Sequence, residues 1–175
     1  MAPPLSSELP LSCELQSVFT HAKELASHEG QPVFSTHLLL ALYSVDNNAA
    51  IFLEENHLPA PTHEMRQQAR SAREPLSTVN RIYERSHRLA AGARSQDVTS
   101  IHLLAAMLRE SNSAAYRLLE AGGINVSGIR TRVMSYATGS RHIPRAQLEA
   151  RGMQPEQGHY QTLEEISLPS PAQAA

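Results

Sequence analysis

The feature that most constrains this chain is an internal echo. The segments FSTHLLLALYS from Phe34 and TSIHLLAAMLR from Thr99 each place hydroxylated residues, a His and an unbroken apolar run in similar order, with His37 and His102 65 positions apart. If the match extends outward, the chain is a duplication, and each copy must cover its apolar face with its twin.

The match does extend. Upstream of His37, Leu15, Val18, Phe19, Ala22, Leu25 and Ala26 form the i, i+3, i+4, i+7 stripe of an amphipathic helix. Val79, Ile82, Tyr83, Ser86, Leu89 and Ala90 repeat it 64 positions on, and one extra residue before the second His brings the offset to 65. Ser12 and Ser77 stand where N-caps belong. Downstream, Ala49, Ala50 and Leu53 pair with Ala114, Ala115 and Leu118 on the buried face of a short helix. Asn56 and Gly122–Gly123 fall at its end, where left-handed backbone is tolerated, with Leu58 or Ile124 as the apolar contact beyond. A fourth helix closes each copy, PTHEMRQQARSAR and VSGIRTRVMSYA, and Pro61 suits its first turn.

Each copy therefore predicts four helices: long and amphipathic, apolar, short, and closing. The second is apolar nearly all round, through Leu38, Leu39, Leu40 and Leu42 in one copy and Leu103, Leu104, Met107 and Leu108 in the other. Such a helix belongs at the centre of a core. The expected fold is all-α: two four-helix repeats, 10–73 and 76–137, related by a pseudo-twofold axis, eight helices in one domain. No period-2 pattern of any length predicts a strand. After Tyr136 the periodicity fades and Pro144, Pro155, Pro169 and Pro171 appear, which predicts a flexible tail over 139–175 with at most a transient helix near Ala146–Ala150.

The doubled unit, with its hydroxylated start, A-x-x-L-A stripe, loop, H-L-L-L-A-L run and small-residue helix, resembles the Clp N-terminal domain over roughly residues 10–137 in both repeats. That resemblance implies an eight-helix domain, standing at the front of ATPases that unfold proteins, which docks substrates and adaptors and has no chemistry of its own. It implies as partners a Clp ATPase or peptidase, adaptor proteins, or unfolded and peptide clients. It also implies recognition surfaces where the start of each repeat meets the motif loops, here Ser12, Val33, Thr36, Ser77, Val98 and Ile101. The family commonly has Glu immediately before the motif His, and its phosphoarginine-binding branch uses that carboxylate on the guanidinium. Thr36 and Ile101 stand there instead, so that activity is not expected. No G-x-x-x-x-G-K-[ST] phosphate loop occurs in the 175 residues, which are expected to be a stand-alone version of the domain or part of a larger ATPase subunit.

The remaining features narrow the chemistry. Nine histidines are scattered without an H-x-x-x-H pair, so no metal or other cofactor is implied, and no catalytic residue is assigned. His37 and His102 read as helix-start residues, where the dipole disfavours an imidazolium. The single Cys13 makes an intramolecular disulfide impossible and fits a reducing cytoplasm. No apolar run reaches bilayer length, and a net charge of −2 favours neither membranes nor nucleic acid. The isolated chain is expected to be a monomer. One local exception stands out: residues 66–94 hold seven arginines against Glu74 and Glu84. Arg66, Arg70 and Arg73 are expected on one face of the fourth helix, a second candidate docking patch. It carries the alternative reading, a small nucleic-acid-associated helical protein, which the lack of interleaved aromatics weakens.

Overall fold

The computed structural model describes residues 9–139. Among them are eight helices: α1 (Cys13–His28), α2 (Ser35–Ser44), α3 (Asn48–Glu55), α4 (His63–Ser71), α5 (Ser77–Gly92), α6 (Ser100–Met107), α7 (Ala114–Ala121) and α8 (Val126–Ala137). No strand forms among these residues beyond an isolated parallel bridge between Leu11 and Val98. The expected tail beyond Gly139, with the helix near Ala146–Ala150, lies outside the described residues.

The stripes place the helices as expected. α1 buries Leu15, Val18, Ala22 and Ala26, and α5 buries Thr78, Ile82, Ser86 and Ala90. Phe19, Leu25, Val79, Tyr83 and Leu89 flank them, half-buried against the core. Every residue of α2 from Ser35 to Leu42 and every residue of α6 is buried, so these two helices run through the middle. Each long helix packs on the motif helix of its own repeat, α1 on α2 and α5 on α6. Across the pseudo-twofold axis the short helices trade places: α3 packs on α6 and α7 on α2. Phe52 and Tyr136, edge-on with ring centroids 5.3 Å apart, tie α3 to α8, and Phe19 meets Tyr83 in the same way at 6.0 Å between α1 and α5.

The helix ends differ in detail from the expectations. Ser12 caps α1, accepting the Leu15 N–H at 3.3 Å, but Ser77 is already the first helical residue of α5 and Leu76, in helical conformation, stands at its N-cap. Pro61 precedes α4 by two residues, and Thr62 is the cap, accepting the Met65 N–H. The caps of α3 and α7, Asn47 and Ser113, lie 66 positions apart, so Ala49 aligns with Ala115 rather than Ala114.

Among the described residues four helices end in the same hydrogen-bond pattern. In α3 it is Leu58 N–H to the Leu53 carbonyl (2.9 Å) and His57 N–H to the Glu54 carbonyl (3.0 Å). The residue in left-handed backbone is His57 at φ 54°, not Asn56 at φ −92°. Its twin is Gly123 at 76°, and the ends of α1 and α5 use Gly30 at 62° and Arg94 at 56°. Each pair thus has one glycine and one residue whose Cβ is crowded. His57→Gly and Arg94→Gly are each expected to raise stability by about 0.5–1 kcal/mol, the left-handed cost removed less glycine's larger entropy loss. Thermal melts read this as a rise of roughly 2–4 °C per substitution.

Candidate functional site

The two motif helices open with serines that look across the axis. Ser35 Oγ accepts the Ala115 N–H and Ser100 Oγ accepts the Ala49 N–H, both at 3.0 Å, so each motif helix is stitched to the short helix of the other repeat. Each hydroxyl then donates to a carboxylate. Glu14 accepts from Ser100 Oγ (3.0 Å), Ser100 N–H (3.0 Å) and Asn48 N–H (2.6 Å). Glu74 accepts from Ser35 Oγ (2.8 Å), Ser35 N–H and Ala114 N–H (2.7 Å). Each carboxylate therefore bridges two helix N-termini, one from each repeat, where the orphan donors and the dipoles favour negative charge. The Glu14 side chain is half-buried along its length with its acid group inward. Burial pushes that carboxyl above the usual carboxylate range, against the hydrogen bonds from Asn48 and Ser100 that favour its ionised form.

The two histidines sit at the third position of α2 and α6 and reach back to the residue before the helix. His37 Nδ1 accepts the Phe34 N–H at 2.9 Å, and His102 Nδ1 accepts the Thr99 N–H at 3.1 Å. A ring nitrogen that accepts carries no proton, so Nε2 holds it in both rings. From there the copies diverge. His37 Nε2 donates to Glu29 Oε2 at 3.1 Å, while His102 Nε2 donates to the carbonyl of Ala137, the last residue of α8, at 3.1 Å. With both nitrogens engaged and only 1 % and 4 % of each residue exposed, neither ring offers itself to a substrate.

The expected recognition residues are distributed unevenly in depth. Ser12, Thr36, Val98 and Ile101 are buried, Val33 is half-buried and Ser77 is exposed. The structure brings Ser12 and Val98 together: Ser12 N–H donates to the Val98 carbonyl (2.9 Å), and Val98 N–H to the Pro10 carbonyl (2.8 Å). Thr36 and Ile101 occupy turns of α2 and α6 that face inward, and the Thr36 hydroxyl finds no hydrogen-bond partner.

Arg66, Arg70 and Arg73 are exposed, but α4 ends at Ser71, so Arg73 follows the helix instead of sharing its face. Arg73 Nη1 donates to the Arg70 and Ala72 carbonyls (3.1 and 2.8 Å), at the negative end of the dipole. Arg70 Nε donates to Glu29 Oε1 at 3.1 Å, so Glu29 holds His37 on one oxygen and Arg70 on the other. Arg81 and Arg85 close on Glu110 at 3.2 and 3.3 Å. Three of the seven arginines between residues 66 and 94 are thus matched by carboxylates. Beside Glu29 an open cavity of about 620 Å³ is lined by His21, Glu24, Leu25, His28, Gln31 and Arg70. Among the described residues no group of three or more His, Cys, Asp or Glu converges as a metal site would require.

Sequence reasoning missed the two clasping glutamates. Glu14 carried a faint signal, an acid in a first helical turn. Glu74 carried none, because Glu14 is matched 64 positions on by Thr78, and Glu74 works from the linker before α5. A family model, that of the Clp repeat (R) N-terminal domain, matches residues 77–166, which takes in α5 to α8 and runs past the described residues. No curated protein matches the chain.

Proposed function

Since the chain belongs to the Clp repeat (R) N-terminal domain family, we propose that it docks substrates or adaptor proteins for a Clp unfoldase or protease. Membership makes it an N-terminal interaction domain of the Clp system, a family whose role is binding and not catalysis. Among the described residues no helix is long and apolar enough to cross a membrane. The observation that carries the docking reading is the matched four-helix unit of α5–α8, joined to a second unit of the same architecture by reciprocal bonds at the motif helices.

In this reading the partner meets the surface around the loops ahead of α2 and α6. Val33 and Ser77 supply side chains there, while Ser12, Thr36, Val98 and Ile101 set its shape from within. The protein works in the cytoplasm and is a monomer until it meets its partner. The nucleic-acid reading loses ground because carboxylates already hold Arg70, Arg81 and Arg85.

The test is affinity capture from the native cell with the full chain as bait, repeated across a salt series. A Clp ATPase, its peptidase or a client is expected, and its retention should change little with salt, since apolar docking releases few counterions. Steeply salt-sensitive capture of nucleic acid, or robust ATP hydrolysis by the pure chain, would overturn the proposal.

A further inference from the structure

Among the described residues the duplication leaves one backbone edge paired and its twin without a bonded partner. In the second repeat, the loop ahead of α6 is paired: Val98 N–H donates to the Pro10 carbonyl and the Val98 carbonyl accepts from Ser12 N–H, with Leu11 extended between them. The filling segment reads Pro10-Leu11-Ser12, and Ser12 is extended at φ −62°, ψ 155°. In the first repeat Val33 takes the place of Val98, one residue before the N-cap, and the two caps Phe34 and Thr99 share the same extended backbone (φ −107°, ψ 166° and φ −103°, ψ 169°). No backbone or side-chain bond forms at Val33 among the described residues.

The sequence repeats Pro-Leu-Ser at 4–6 and at 75–77, and the copy at 75–77 is the one that pseudo-symmetry would bring to this edge. It does not pair there, because it is already wound. Leu76 is helical at φ −56°, ψ −28°, and Thr78 N–H donates to the Pro75 carbonyl at 2.9 Å. Leu76 is left 63 % exposed, the large apolar residue most open to water among the described residues. It lies at the same end of α2 as Val33, since Glu74, two residues before it, bonds to Ser35, two residues after Val33.

We propose that the Val33 edge binds an extended segment of the Pro-Leu-Ser kind from a partner protein, by strand addition in the geometry of the Leu11–Val98 bridge. Val33 N–H donates to the carbonyl of the residue before the leucine. The Val33 carbonyl accepts the N–H of the residue after it. The leucine packs beside half-buried Val33 and exposed Leu76. Backbone pairing supplies affinity and the one apolar side chain supplies selection, as in other strand-addition recognition. This rests on the docking reading above and names the chemistry of the segment docked.

The probe is the capped peptide Ser-Glu-Leu-Pro-Leu-Ser-Ala, residues 7–13 with alanine for Cys13, titrated into the ¹⁵N-labelled full chain. Amide shifts are expected at Val33, Phe34 and Leu76. Methylating the peptide nitrogen of the serine after the leucine should weaken binding about tenfold, while methylating that of the leucine, whose counterpart N–H at Leu11 donates to no described residue, should leave it within about twofold. Val33→Pro should also weaken binding about tenfold, with an unchanged melting temperature showing the fold intact. Absence of binding at millimolar peptide, equal effects of the two methylations, or shifts confined to the Val98 loop would each overturn the inference. Peptide failure beside successful capture of a Clp component sinks only this inference; peptide binding beside empty capture sinks the Clp reading and leaves the edge standing.

Discussion

Glu14→Ala is expected to lower stability by about 2–4 kcal/mol, which a thermal melt reads as a fall of roughly 6–15 °C for a domain of this size. The loss comes from donors and not from the missing side chain. Without the carboxylate, Asn48 N–H, Ser100 N–H and Ser100 Oγ lose an acceptor at two helix starts, in a place where water enters only partly. Glu74→Ala should cost a similar amount, because it serves Ser35 and Ala114 in the mirrored position. Glu24→Ala, which removes a surface pairing with His21, should change the melt by less than about 0.5 kcal/mol. The sign of the pH effect also follows. Since burial raises the Glu14 carboxyl above its ordinary value of 4.5, the folded state holds that proton more firmly than the unfolded chain does. Its contribution is fully present below that value and declines as pH climbs through the window up to the raised one. The stability difference between the native protein and Glu14→Gln should shrink across the same window. Equal stability of Glu14→Ala and the parent would mean that water satisfies both helix ends.

The largest effect expected is the loss of cooperative folding when the chain is cut after Arg73. The remaining half keeps α1 to α4, but α2 loses α7 from one side, and its buried residues from Ser35 to Leu42 include four leucines. It also loses Glu74 and the Ala115 N–H, the two partners of Ser35 Oγ. At 73 residues such a fragment has little core to spare. A broad melt by circular dichroism, with dye binding to exposed apolar surface, is the expected outcome. A sharp transition near the parent's temperature would show that the repeats are independent modules.

The helices were legible because a 3.6-residue stripe survives in one sequence without reference to anything else, as Leu15, Val18, Ala22 and Ala26 show. The doubled His was legible too, and its place at each helix start follows from its type and position. The role of its second nitrogen was not. Nothing near His102 points to the carbonyl of Ala137, 35 residues on, and nothing near His37 announces Glu29 as the substitute. Aligning the repeats by residue type also misled at two ends. Ser77 looks like Ser12 yet sits one position into its helix, and Asn56 looks like a left-handed residue yet hands that role to His57. In each case the backbone path, fixed by packing, decides which neighbour takes the special conformation. The same limit applies to the candidate recognition residues. Pattern matching locates Thr36 and Ile101 in the motif, but their depth depends on how the other repeat covers them.

The bonds at α6 have a mechanical corollary. The incoming segment is fastened at Val98 and the outgoing end of α8 at His102, four residues apart on the same helix start. Tension applied between residues 9 and 139 therefore enters and leaves the body within about one helical turn. Its load is shared by the two hydrogen bonds at Val98, the one at His102 and the packing of α8 on α6. While they hold, the force path short-circuits across α6, and the two repeats behind it hang slack.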